Sequence, residues 1–223
     1  MKKKSARTFW FENSLSIVLI TITFLVLIGH SITGHLHFND ELKDENQPEI
    51  SYTQYLVSGS FIESVFENWE SEFLQMGLYV LLTVFLMQKG SSESKDLSKK
   101  ERVDEIKNNN KETPYPVKKG GWLLVLYQNS LFIAFMILFV FSFYLHAKGG
   151  ADEMTRDNIA KGKPEHVSTI QYMESSKFWY ESFQNWQSEF LSVFAIVVLS
   201  IHLRQKGSPE SKPVDAPHSQ TGT

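Results

Sequence analysis

The chain has 223 residues, a formal net charge of -3 and no cysteine. Disulfides and thiolate metal sites are thereby excluded, and the basic residues lie along polar segments without interleaved aromatics, which argues against nucleic acid as a partner. A mean hydropathy of -0.20 hides a patterned chain, because the apolar residues are gathered into four blocks diluted by a charged start, a charged connector and two polar loops.

Met1-Lys2-Lys3-Lys4 and Arg7 precede the apolar stretch Leu15 to Leu36. That stretch is longer than the h-region of a secretory signal and no small-residue cleavage site follows it, so it reads as an uncleaved first span, with Phe9-Trp10-Phe11 at the inner interface. His37 to Ser60 is polar and mostly acidic and reads as an external loop. Ser60 precedes Glu63 at capping-box spacing, which predicts a helix from about Phe61 that runs through Met87 and closes at Gln88-Lys89-Gly90. The connector Ser91 to Gly121, with its Asn108-Asn109-Asn110 run and Pro114 and Pro116, is expected to be disordered or helical only around Leu97 to Ile106. A third block runs from Trp122 to Leu145 and a second loop from Lys148 to about Ser176. The fourth block ends at His202-Leu203-Arg204, and the tail beyond Lys206 holds little that could pack.

Lys and Arg number four in the N-terminal segment, nine between Lys89 and Lys119 and three after Leu203, against one in the first loop and five in the second. This positive-inside bias puts both termini and the connector in the cytoplasm.

The chain also repeats itself. Phe66-Glu67-Asn68-Trp69-Glu70-Ser71-Glu72-Phe73-Leu74 returns 117 residues later as Phe183-Gln184-Asn185-Trp186-Gln187-Ser188-Glu189-Phe190-Leu191. The same offset carries Gln54-Tyr55 onto Gln171-Tyr172, Phe61 onto Phe178, and Gln88-Lys89-Gly90-Ser91 onto Gln205-Lys206-Gly207-Ser208; an offset of 116 carries Asn13-Ser14-Leu15 onto Asn129-Ser130-Leu131 and His30 onto His146. The expected fold is all-α: a polytopic membrane protein with four transmembrane helices, arranged as two tandem two-helix repeats related by pseudo-two-fold symmetry along the membrane normal. Residues 1–95 form the first repeat, with spans at about 14–36 and 69–88. A charged cytoplasmic linker covers 96–119, and the second repeat covers 120–212 with spans at about 123–146 and 186–204; 213–223 is expected as a disordered tail.

The motif FENWESEFLQ followed by a span and QKGSSESK resembles a family of bacterial four-span integral membrane proteins, a domain of unknown function, over nearly the whole chain. The resemblance implies a multi-pass protein of the bacterial cytoplasmic membrane and no activity.

Candidate chemistry gathers near the outer face. The run Phe73 to Met87 spans about 22 Å of helix against a hydrocarbon core of about 30 Å, so Glu72 and its twin Glu189 are drawn to the membrane edge. His30 and His146 are expected at the same level, and the four residues are candidates for one cluster that binds a proton or small cation. A stronger form holds a metal, with His35 and His37 as extra ligands, although no E-x-x-H spacing occurs. The plainer reading pairs each Glu with a neighbouring His while Trp69 and Trp186 anchor the interface. Glu63, Glu67 and Glu70 fall on one helical stripe and read as a solvated face, and Asn13, Asn129, Gln88 and Gln205 read as polar packing between helices. The middle layer, Val80 to Leu86 and Ile196 to Ile201, offers Thr83 and Ser200 as its polar groups and reads as dry.

The function expected first is a non-enzymatic structural or interaction role. The alternative is a small cation or proton transporter or channel that uses the Glu/His cluster, and the third is a metal-dependent membrane enzyme. No cofactor is expected, and the expected partners are the lipid bilayer, a second copy or another membrane protein, and a small cation.

Overall fold

The computed structural model describes residues 6–106, 112–163 and 165–222. The basic start Met1-Lys2-Lys3-Lys4, the Arg7 side chain and the 107–111 part of the connector, with its asparagine run, lie outside the described residues. Among those described, the regular elements are helical: α1 (Ala6–Glu12), α2 (Ser14–Asp44), α3 (Tyr52–Tyr55), α4 (Gly59–Phe85), a 3-10 turn at Arg102–Asp104, α5 (Tyr115–Lys119), α6 (Gly121–Gln128), α7 (Ser130–Ala160), α8 (Thr169–Met173) and α9 (Ser176–His202). The long helices come in equal lengths, 31 residues for α2 and α7 and 27 for α4 and α9.

Among the described residues, two helices, α2 and α7, are long and apolar enough to cross a membrane. The sequence suggested four such segments. α4 and α9 are long enough, but their first halves carry acids and amides, so the apolar part of α4 is Phe73 to Phe85, about 20 Å of rise.

Helix ends depart from expectation for identifiable reasons. α2 and α7 continue about two and about three and a half turns into segments read as loops, because their charges pair along the helix: His37 with Glu41 at 3.4 Å, Lys43 with Asp40 at 3.4 Å, Lys148 with Asp152 at 2.7 Å and Arg156 with Glu153 at 2.8 Å. α4 starts at Gly59, capped by Ser58 rather than Ser60: the Ser58 hydroxyl accepts from the Phe61 amide at 3.3 Å. Ser175 caps α9 in the same way, through Phe178 at 3.3 Å. α4 closes at Phe85, before the Gln88-Lys89-Gly90 stop, and Gly90 adopts its positive φ of 88° in the turn that follows.

Contacts divide the chain into two compact units, Met1–Glu63 with Lys148–Thr169, and Ser64–Ala147 with Ile170–Thr223. In the first, Phe38, Leu42 and Tyr55 form a buried core against which Ile50 and Phe61 pack. The loop after α2 is held by Asn39, whose amide NH2 donates to the Ile50 carbonyl at 3.0 Å while its carbonyl accepts from the Ile50 amide at 2.9 Å. His35 secures the same loop, with its Nε2 2.8 Å from the Ile50 carbonyl and its ring packed on Tyr52 and Tyr55. The Arg156 guanidinium covers the Phe38 ring, 4.5 Å from its centroid. Gly59 and Gly149 let two helices touch at backbone distance, since a Cβ on Gly149 would fall 2.5 Å from the Glu63 amide nitrogen and 2.8 Å from the Gly59 carbonyl.

In the second unit α4 and α7 pack at Gly77, where a Cβ would meet Phe135 at 3.3 Å and Met136 at 3.4 Å. The two Q-K-G-S-x-E-S-K stretches fold into one and the same turn. The amides of Gln88 and Gln205 each donate to the Ser hydroxyl six residues on, Ser94 and Ser211, both at 2.9 Å. Glu93 and Glu210 donate their amides to Ser91 and Ser208 at 3.1 and 3.2 Å. The last lysines part company: Lys95 pairs with Asp104 at 2.8 Å, whereas Lys212 is buried among the carbonyls of Gly90, Ile201, His218 and Gln220. Burial, helped by the charge of Arg204, pushes the Lys212 ammonium below its ordinary pKa.

Within the segment after Lys212, expected as a disordered tail, two residues bond back to the first of these turns. The Thr221 hydroxyl accepts from the Gly90 amide at 2.9 Å, and the Gly222 amide donates to the Ser91 carbonyl at 2.9 Å. In the connector, where disorder or a helix confined to about Leu97 to Ile106 was expected, the described residues form side-chain-capped turns and the 3-10 turn at Arg102–Asp104. Asp96 accepts from the Ser98 amide and hydroxyl at 2.7 and 2.8 Å and from the Lys99 amide at 3.1 Å, a local alternative to helix that Asp and Ser favour.

Two glycine substitutions separate packing from propensity. Gly149→Ala should lower stability by about 1–3 kcal/mol, because the added methyl meets backbone on two sides. Gly29 has nothing within 4 Å of its would-be Cβ, so Gly29→Ala should leave stability unchanged or raise it by up to about 1 kcal/mol. Thermal unfolding of the two detergent-solubilised variants checks both signs.

Candidate functional site

The buried ionic centre of the second unit forms where α4, α7 and α9 meet. Its middle is His146, halfway along α7 and fully buried. Nδ1 of the imidazole lies 3.0 Å from Glu70 Oε2, and Nε2 lies 3.4 Å from Glu181 Oε2. Glu70 is itself inaccessible, and its second oxygen accepts from the Ser182 hydroxyl at 2.8 Å. Glu181 accepts from the Tyr172 hydroxyl at 2.6 Å and pairs with Lys177 at 3.4 Å. Phe178 covers the imidazole, with ring centroids 4.8 Å apart and planes inclined by 30°.

The local sequence explains the convergence. Glu181 follows Lys177 by four residues, so the two share a helix face. Ser182 adjoins Glu181 and points its hydroxyl at Glu70. With a carboxylate at each ring nitrogen, His146 donates to both only as an imidazolium. Burial alone would disfavour ionisation of Glu181, but the bonds from His146 and Tyr172 and the charge of Lys177 outweigh it and hold this carboxyl below its ordinary value of 4.5. Both ring nitrogens being engaged by carboxylates, a metal at His146 would have to displace one of them.

The candidates named from sequence are distributed differently. Glu72 is exposed and Glu189 partly so, and they lie close enough for their charges to oppose each other. His146 takes Glu70 and Glu181 as its partners, and His30 packs on the Phe61 ring at 5.9 Å in the other unit. The stripe of Glu63, Glu67 and Glu70 is not a solvated face, for Glu63 and Glu70 are both buried.

Among the described residues, Asn13 and Asn129 bond locally. Each amide bonds back one turn, to the carbonyls of Phe9 at 2.9 Å and Val125 at 2.8 Å, at the break between α1 and α2 and between α6 and α7. Gln88 and Gln205 use their backbone amides in the paired turns described above. His35 is spent on Ile50, and His37 pairs with Glu41 on the surface. Trp69 is exposed; the Trp186 indole packs on Phe139, Trp179 and Phe183, and its N–H is buried without a partner among the described residues.

A family model of a domain of unknown function, DUF6766, matches residues 6–223, taking in every residue of this centre. The chain belongs to that family. No curated protein and no solved structure matches it. Within this DUF6766 chain, the residues sequence reasoning passed over are Glu70 as a buried acid, Glu181, Ser182 and Tyr172. One signal was available: the offset of 117 places Gln187 opposite Glu70 and Ser64 opposite Glu181, so the acids that serve His146 have no counterparts for His30.

Removing the Glu70 carboxylate should destabilise the fold out of proportion to its size. Glu70→Ala leaves a buried imidazole and a hydroxyl without their partner, a loss of about 3–5 kcal/mol. For Glu181 the sign follows from its depressed pKa: the stabilisation is complete above 4.5 and is lost as pH falls below it. Denaturant unfolding across acid pH should show wild-type stability falling through that window, with a shallower dependence for Glu181→Gln.

Proposed function

We propose that this DUF6766 chain is a four-span membrane protein of the bacterial cytoplasmic membrane, built as two tandem two-span units with both termini and the connector in the cytoplasm, and that its role is non-enzymatic. The observation that carries the reading is the apolar surface of all four long helices. Leu19, Phe24, Leu25 and Val26 on α2, Ile137 and Val140 on α7, Val84 and Phe85 on α4, and Leu191 and Phe194 on α9 are each more than half exposed. Surface of that extent on a monomer calls for lipid or a partner, and helices satisfy their own backbone in hydrocarbon. The short apolar runs of α4 and α9 fit a locally thinned bilayer.

In this reading the Glu70–His146–Glu181 centre is a clasp. Its donors and acceptors are matched across three helices, which supports a scaffold or partner-binding role rather than turnover of a substrate. The tail and the paired turns brace the cytoplasmic ends, where another membrane protein or a second copy would be met.

The absence of cysteine makes topology directly measurable. Single cysteines at Gln47, Ser98, Lys163 and Asp215 are probed with a membrane-impermeant maleimide in intact and permeabilised cells. Gln47→Cys and Lys163→Cys should react from outside, Ser98→Cys and Asp215→Cys only after permeabilisation. External labelling of Ser98→Cys with protection of Lys163→Cys would mean that α2 and α7 alone cross, and the four-span proposal would fall.

A further inference from the structure

The clasp has a feature that a clasp does not need. Its two carboxylates face opposite nitrogens of one imidazole, the arrangement of a relay, in which a ring takes a proton on one side and releases it on the other. At the Glu181 side the centre reaches water: that carboxylate is 17% exposed and its partner Lys177 42%. At the Glu70 side it meets a polar row. Ser71, Gln75, Tyr79 and Thr83 recur every fourth residue along α4 and carry the row into the segment that read as dry, and Ser71 and Gln75 are 1% and 5% exposed. The row ends where the Tyr79 hydroxyl donates to Glu93 at 2.7 Å. Tyr79, Thr83 and Glu93 line a groove of about 1040 Å³ that opens at the C-terminal end of α4.

A second observation points the same way. Ser142, one turn before His146 on α7, is fully buried and its hydroxyl has no partner among the described residues. A buried hydroxyl in that condition is ordinarily satisfied by water, and a water there would sit beside the His146 end of the row. From Glu70 to Tyr79 the rise along α4 is about 14 Å, a distance that a few waters hydrogen-bonded to Ser71, Ser142 and Gln75 would span.

We propose that Glu181, His146 and Glu70, continued by the polar row of α4 to Tyr79 and Glu93, form a proton path through the second unit. A proton arriving on the Glu181 carboxylate passes to Nε2 of His146 in its neutral Nδ1–H form, which the ring reaches once the imidazolium has given up a proton, and restores the imidazolium. The Nδ1 proton then moves to the Glu70 carboxylate, leaving neutral Glu70 and the Nε2–H tautomer. Glu70 releases its proton to water along the row towards Glu93, and the ring resets when water hands the Nε2 proton round to Nδ1, a tautomer shift that returns no proton to Glu181. Each step conserves charge and needs no partner beyond water. The charged and titratable groups around the ring are Glu70 and Glu67 on α4, Tyr172 on α8, and Lys177 and Glu181 on α9; Glu63 precedes Glu67 by one turn of α4.

The path lies in the second unit and rests on the reading that α4 and α9 cross the membrane; the cysteine labelling above tests that reading on its own, so its failure is distinguishable from a failure of the path. The test is proton flux into liposomes that contain the full chain and a trapped pH-sensitive dye, with potassium and valinomycin to cancel the membrane potential. Wild type should dissipate an imposed pH step well above protein-free vesicles, and Glu70→Gln should fall to their level. Tyr79→Phe and Gln75→Leu leave the clasp itself intact, and each should slow the flux by about tenfold or more. Gln187→Ala, on the exposed twin of the Glu70 position, should match wild type. Wild-type flux equal to that of empty vesicles, or full flux in both Tyr79→Phe and Gln75→Leu, would overturn the proposal.

Discussion

The second unit depends on one electrostatic arrangement, a buried imidazole held between two carboxylates, one of them inaccessible and the other at the edge of solvent. Burying a charge is costly unless opposite charge and hydrogen bonds replace the lost hydration. Here Glu70, Glu181, Ser182, Tyr172 and Lys177 supply the replacement from three neighbouring elements. The consequence is geometric. A solvated carboxylate tolerates displacement, whereas one whose two oxygens are both engaged at 2.8 and 3.0 Å fixes the rotation of its helix. The aromatic packing of Phe143 on Phe178 and of Phe66 on Phe141 then has a single register to fill.

Two stretches of similar sequence differ at the acids of the centre. His30, Tyr55 and Phe61 correspond to His146, Tyr172 and Phe178, and both sets of rings pack together, at 5.9 and 5.3 Å in one unit and 4.8 and 5.7 Å in the other. The aromatic cradle is common property. What differs is the acid: Ser64 stands at the Glu181 position and Gln187 at the Glu70 position. Two positions, Glu70 against Gln187 and Glu181 against Ser64, thus separate the charged arrangement from the neutral one.

Much of the fold was legible in the chain. Periodic apolar blocks, the internal offsets and the Ser-rich helix starts locate the middles of all four long helices, because those signals act locally. The helix ends were less legible: charge alone read as loop, whereas paired charges such as Lys148 and Asp152 support a helix beyond the apolar block. The site was misread for a related reason. Acids at i, i+4 and i+7 look alike whether they face water or a neighbouring helix, and the difference lies in donors more than seventy residues away. Gln75 and Tyr79 were likewise absorbed into an apolar run by their neighbours, although their fourfold spacing with Ser71 and Thr83 was present in the letters.

The paired turns carry the same lesson into energetics. Q-K-G-S-x-E-S-K closes on itself through its own serines, so its shape is settled before any distant contact forms. The two lysines that end the turns nevertheless have opposite fates, Lys95 beside Asp104 and Lys212 enclosed by four carbonyls. An ammonium has three hydrogens, so four acceptors cannot all be served at once by linear bonds. The cage holds by charge against dipole more than by matched hydrogen bonds, which is why burial depresses the lysine even among favourable neighbours. A carboxylate would have relieved that burden, as Asp104 does for Lys95. Carbonyls instead leave the positive charge uncancelled at the end of α9, where the helix dipole welcomes it, and they tie that helix end to the last residues of the chain.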